Sequence, residues 1–185
     1  IPLFIDVFCE EHAFDVTQSR RILEAGVAAG MQVKIHVDQF HAFGGLQMAL
    51  ELGAVSADHL EVTTAAGIAA LAESGTIGVP LPAANFNLGQ TDFAPARRLI
   101  DAGAALALAT DLNPGSAPCY GMPTVMTLAT RYLRLQPSEA LVASTMNGAH
   151  GVGLAARVGS IAVGKTADLL ILTAPTFMCI IRLSG

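Results

Sequence analysis

The sequence predicts an α/β fold. It reads as about the last five strands of a TIM-type (β/α)8 barrel, with the start of a small β-sandwich unit behind them. Three observations predict this. Short apolar runs alternate with helical segments in units of about 20–25 residues, which implies parallel strands joined by right-handed crossovers. A glycine closes four successive helices: Gly30, Gly53, Gly75 and Gly103. Polar residues recur where the strands end, the face on which barrels of this type carry their chemistry.

In chain order, Leu3 to Cys9 is short, apolar and partly β-branched, and reads as a strand. Val16 to Ala29 has apolar and small residues at helical spacing. Met31 to Val37 is the next strand, and Phe43 to Leu52 the next helix. A short strand, Ala54 to Ala57, leads to a helix from Thr63 to Ser74, with Thr63 or Thr64 as its N-cap. Thr76 to Leu81 and Ala104 to Thr110 are further strands, on either side of a helix from Asp92 to Ala102. The rhythm then changes. Thr124 to Leu135 and Ser138 to Asn147 read as two helices, the second capped by Ser138, and Val158 to Leu172 as a turn and a strand leaving the barrel. This places residues 1–155 in a partial barrel and residues 156–185 in the return toward a β-sandwich. A whole barrel takes roughly 250 residues. The 185-residue chain, which starts at Ile1 without Met, is therefore expected to be a portion of a longer protein.

Composition narrows the function. The chain is 52% hydrophobic and 14% charged, which suits a sheet buried on both faces. A net charge of −5 points away from nucleic acid and anionic membranes as partners, and the lack of Trp argues against base-stacking platforms. Three widely spaced cysteines, Cys9, Cys119 and Cys179, make neither a disulfide framework nor a zinc knuckle, so a reducing, cytoplasmic setting is expected. Gly159 to Thr166 fits the G-x-x-x-x-G-K-[ST] pattern of a phosphate-binding loop. That loop needs a strand before it and a helix after it, and here the order is reversed.

Three strand ends carry chemistry. Lys34-Ile35-His36-Val37-Asp38-Gln39 delivers His36, Ala57-Asp58-His59 delivers His59, and Ala109-Thr110-Asp111-Leu112-Asn113-Pro114-Gly115-Ser116 delivers Asp111. Each has a plain structural alternative: a satisfied buried histidine, a helix-cap partner, a turn carboxylate. Taken together, two imidazoles and a carboxylate at the same end of successive strands are a set that can hold a metal and move protons.

At Asp6–Glu10, Lys34–Gln39, Gly44-Gly45, Val55–Leu60 and Leu108–Ser116 the sequence resembles the metal-dependent amidohydrolases, and among them the imidazolonepropionase family of histidine degradation. Gly164–Leu169 resembles that family's return to its small β-sandwich. The resemblance implies a hydrolase that opens the cyclic amide of 4-imidazolone-5-propanoate to N-formimidoyl-L-glutamate, with one Zn or Fe ion and a small-molecule substrate. It implies that His36 and Asp111 ligate the ion, that Asp111 also takes the proton of the attacking water, and that His59 polarises the ring carbonyl. Gln39, Asn113, Gly115 and Ser116 are implied to hold the substrate, with Gln39 also counted among the catalytic groups. A homodimer is a further expectation. The family's His-x-His pair has no counterpart in the chain. The competing readings are another amidohydrolase, such as a heterocycle deaminase, and a barrel scaffold without catalysis.

Overall fold

The computed structural model describes residues 3–182, so the extreme ends of the expected 1–155 and 156–185 segments lie outside the described residues. The chain divides into two compact units. Residues 3–80 and 92–106 form the first, and residues 81–91 and 107–182 the second.

The first unit holds the sheet. Strands β1 (Phe4–Ile5) and β2 (Phe8–Cys9) both pair with β3 (Gln32–Val37), β3 pairs with β4 (Ser56–His59), and β4 with β5 (Ile77–Val79). All these pairs are parallel. Leu106 extends the series through a parallel bridge to Gly78. The spatial order follows the chain order without reversal. A doubly wound sheet reverses at its switch point, whereas a (β/α)8 barrel does not, so the topology is that of part of a barrel.

The helices of this unit are α1 (Val16–Ala28), α2 (Gly45–Glu51), α3 (Ala65–Ser74) and α5 (Ala96–Asp101). Asp15 starts α1 with a capping box: its carboxylate accepts from Gln18 N at 2.8 Å, and Gln18 Oε1 accepts from Asp15 N at 3.0 Å. Thr64 caps α3 through Gly67 N. All four closing glycines have positive φ, the backbone that ends a helix most cheaply when no Cβ is present. Val33, Ile35 and Val37 are buried on one face of β3, with the fully buried Leu23 of α1 in the same core. Lys34 and His36 alternate to the other face.

The second unit is helical: α4 (Pro82–Asn87), α6 (Met122–Tyr132), α7 (Pro137–Ser144), α8 (Met146–Gly151) and α9 (Met178–Arg182). α4, α8 and α9 have no counterpart in the sequence reading; Pro82 at the first helical position starts α4.

Several expectations are corrected. The strand expected over Ala104 to Thr110 reduces to the single bridge at Leu106, and Leu108 N turns away to Ala143 O at 3.1 Å. Four of its seven residues are alanine, a weak strand former. α5 starts at Ala96 rather than Asp92 because Pro95 biases the residue before it away from helical backbone. Gln136, not Ser138, caps α7, in a capping box with Glu139 and with Pro137 as first helical residue. Residues 158–172 form no strand; Ile161, Val163, Leu170 and Ile171 stand exposed. The decoy loop resolves as a turn whose Lys165 Nζ donates to Ala155 O, Val158 O and Ser160 Oγ, which leaves no phosphate cradle.

Candidate metal centre

Within the first unit, register and backbone strain bring two imidazoles together. His36 pairs with Phe8 and Asp58 across the parallel ladder. His59 pairs with Val37, so strict alternation would send its ring to the helix side. Its backbone instead takes φ 83°, followed by Leu60 at φ 73°. The chain swings, and the His59 ring comes to 5.5 Å from that of His36. A nitrogen of each ring lies within 4.8 Å of the other. Phe8 packs against both rings, at 6.5 and 6.4 Å. Asp38, two residues after His36, is also left-handed, at φ 54°. Bulky residues in this region cost of order 1–3 kcal/mol each and concentrate at functional sites.

Each imidazole has a carboxylate at Nδ1. Asp6 Oδ2 lies 2.8 Å from His36 Nδ1, and Glu61 Oε1 lies 3.5 Å from His59 Nδ1. The second contact is within ion-pair distance but too long for a good hydrogen bond. His59 Nδ1 and both Glu61 oxygens are buried with no hydrogen-bond partner among the described residues.

Three more carboxylates of this unit have shifted titration. Burial would push Glu10 up, but the N–H groups of Phe40 and Glu11 and the ring of His41 outweigh it and hold the carboxyl below its ordinary range. Glu10 thereby pins the segment that follows Gln39, itself buried. Burial raises Asp38, against the hydrogen bond it accepts from Thr63 Oγ1 at 2.9 Å. Burial also raises Asp58, opposed by Lys34, His36 and the Ser56 hydroxyl at 2.8 Å. A carboxyl raised in the folded state favours folding fully below its unfolded pKa, and that contribution is lost as pH rises through the folded value. Asp58→Asn is therefore expected to be more stable than the parent chain at pH 7, with the gap closing as pH falls toward the ordinary carboxylate range. Urea melts at a series of pH values check this; a gap that widens on acidification would contradict it.

A cleft of about 810 Å³ in this unit is lined by Glu10, His12, Phe40, His41 and Phe43, among others, and by none of His36, Gln39 or His59.

In the second unit, Asp111 adopts φ 51° and opens a tight turn. Asn113 organises that turn. Its Oδ1 accepts from Gly115 N at 2.9 Å and Ser116 N at 2.7 Å, and its Nδ2 donates to Asp111 O and Ser116 Oγ. The Asn113 amide and the Gly115 and Ser116 N–H groups thereby close the turn on itself, as Asx chemistry does.

The structure thus brings together His36 and His59, buries Gln39 nearby in sequence, and sets Asp111 at the head of a self-bonded turn. Sequence reasoning missed Asp6 and Glu61. The signal for Asp6 was alternation, since Phe4, Asp6 and Phe8 share one parity. The residues fit a metal ion. Neutral imidazole nitrogen and carboxylate oxygen are the donors zinc and iron accept, and an orphaned buried Nδ1 marks an imidazole not used up by the protein core.

Comparisons agree with this chemistry. The chain is 54% identical over 177 residues to an imidazolonepropionase of Chloroflexus aggregans, covering 96% of the chain and 42% of that protein. It is 50% identical over 182 residues to an imidazolonepropionase of Geobacillus kaustophilus, covering 98% and 43%. The chain therefore spans less than half the length of these relatives. Among solved structures, an adenosine deaminase of Xanthomonas campestris with bound zinc matches with a TM-score of 0.74 at 26% identity, over 90% of this chain and 42% of that one. Residues 10–180 match the amidohydrolase family, and with a parallel sheet in barrel order and histidines at its strand ends, the chain belongs to that family.

Proposed function

We propose that the chain is part of an imidazolonepropionase, a cytoplasmic hydrolase of histidine degradation that opens the cyclic amide of 4-imidazolone-5-propanoate to N-formimidoyl-L-glutamate. The observation that carries this reading is the His36–His59 pair on adjacent parallel strands, in a chain about half identical to imidazolonepropionases. Imidazole nitrogen and carboxylate oxygen are donors that suit one zinc or iron ion. In this reading His36 and Asp111 are the ligands and His59 stands beside them. When bound, the ion supplies Lewis acidity, which makes water a nucleophile near neutral pH.

The other steps belong to side chains. Asp111 accepts the proton of the attacking water and returns it to the ring nitrogen that leaves, so the C–N bond opens with water added across it. His59 donates toward the ring carbonyl oxygen, where negative charge develops. Gln39, buried and held by the segment that Glu10 pins, binds the ring through its amide. The turn of Asn113, Gly115 and Ser116 forms a rigid rim to the substrate site. Residues 156–185 are the return segment toward a small β-sandwich, and the exposed Ile161, Val163 and Ile171 are apolar surface of the kind such a unit would cover.

Elemental analysis of the complete gene product, with a ring-opening assay, tests the reading. About one Zn or Fe per chain, lost together with ring opening in Asp111→Ala, is the expected result. A folded product without metal, or one inert toward imidazolone propanoate, would overturn it.

A further inference from the structure

We propose that Asp38 is the positioning residue of His59. With Thr63 it clamps the loop after β4 and holds the left-handed backbone that turns the His59 ring toward His36; the role of the ring itself rests on the reading above.

Two consecutive left-handed residues need a cause outside themselves. His59 at φ 83° and Leu60 at φ 73° both carry side chains, which disfavour this backbone. The sheet fixes the start of the loop, where His59 pairs with Val37. Past that point the end of β3 supplies the bonds. Leu60 N donates to Val37 O at 3.2 Å, and Val62 N donates to Asp38 O at 3.0 Å. Thr63 Oγ1 donates to Asp38 Oδ2 at 2.9 Å. Asp38 thus holds the far end of the loop twice, through its carbonyl and through its carboxylate. If His59 and Leu60 relaxed to extended backbone, the chain would lengthen and carry Val62 and Thr63 off Asp38.

Burial makes the clamp firm. Asp38 is 3% exposed and Thr63 6%, so their bond is shielded from water, and leaving either oxygen unpaired there is costly. Asp38 itself takes φ 54°, a backbone that Asp and Asn adopt more readily than most side chains. The consequence is visible at Leu60. Strict alternation would place Leu60, not His59, on the His36 side of the sheet. Leu60 is instead fully buried on the helix side. A Cβ built on Gly78 would meet Leu60 Cδ1 at 3.1 Å and Leu71 Cδ2 of α3 at 3.2 Å. The two residues have exchanged faces, and the His59 ring lies 5.5 Å from that of His36.

Kinetics of the complete gene product and ring-proton NMR of the 185-residue chain test this with four variants. Asp38→Ala and Thr63→Val break the clamp. Asp38→Asn keeps an acceptor and Thr63→Ser keeps the hydroxyl. In the two breaking variants kcat for ring opening should fall about 100-fold, the effect that a displacement of about 1 Å has on a reacting group. KM should stay within about twofold, because His59 acts where charge develops in the transition state. Metal content should match the parent. The nuclear Overhauser contact between the His36 and His59 ring hydrogens, expected in the parent chain, should vanish in both. Asp38→Asn and Thr63→Ser should keep that contact and most of kcat. Thr63→Val removes a hydroxyl at nearly constant shape, so it stays readable if Asp38→Ala does not fold.

No ring contact in the parent chain, or an unchanged contact and kcat in Thr63→Val, overturns the proposal. So does Asp38→Asn as slow as Asp38→Ala, since the carboxylate would then act by its charge. Loss of metal in Thr63→Val overturns it too, because the clamp would then hold the whole site. A gene product inert toward imidazolone propanoate overturns the reading of function instead, and the ring contact in the four variants still decides what Asp38 does.

Discussion

Gly26→Val is expected to cost more than about 3 kcal/mol, and Gly26→Ala about 1–2 kcal/mol, although alanine is the better helix former by about 1 kcal/mol. Gly26 lies in the last turns of α1 and is buried against β1. A Cβ built there would stand 2.5 Å from Ile5 Cβ and 2.8 Å from Ile5 Cγ1. Ile5 Cβ is the branch point next to its own backbone, so rotation of the side chain cannot clear it. Either α1 or β1 must move, and β1 carries the strand that leads to Asp6. Gly30 is the control. It sits at φ 80°, and a methyl group there would have nothing within 4 Å, so Gly30→Ala should show only the left-handed backbone cost of about 1–2 kcal/mol. Urea midpoints of the three variants check the order. A Gly26→Ala chain as stable as the parent would mean that the helix-to-sheet approach is looser than these distances state.

The same close approach shows what the sequence could and could not reveal. Helix ends were legible because Gly30, Gly53, Gly75 and Gly103 act through local backbone geometry, which one residue decides. Barrel order was legible from the repeated alternation of strand and helix, which β1 to β5 then follow in space. The run over Ala104 to Thr110 misled because hydrophobicity is not strand propensity, and an alanine-rich stretch bonds wherever tertiary partners lie. His36 was legible as a strand end. The placing of His59 was not, since it depends on left-handed backbone at two consecutive non-glycine residues, which no periodicity encodes. The bonds that Asn113 makes within its own turn were not legible, because sequence supplies donors and acceptors without saying what they bond to. Asp6 and Glu61 escaped notice because their significance is a distance to another side chain.

His36→Ala should separate function from stability. The variant is expected to lose at least about 100-fold in zinc affinity, which is about 2.8 kcal/mol at 1.4 kcal/mol per decade. Its urea midpoint should change little, by under about 1 kcal/mol. The asymmetry follows from exposure. The side chains of His36 and Asp6 are 30% and 39% exposed, so removing the ring opens no sealed cavity and returns the Asp6 carboxylate to water. His59→Ala should behave differently. That ring is buried, and its loss leaves a void beside a Glu61 carboxylate that has no other partner among the described residues, so both zinc affinity and stability should fall, the latter by about 2–4 kcal/mol. A structural histidine at position 36 would give the opposite pattern from the one expected, with stability lost and zinc affinity kept. Competition titration with zinc and urea melts on the same two variants therefore decide whether β3 ends in a ligand or in a piece of core.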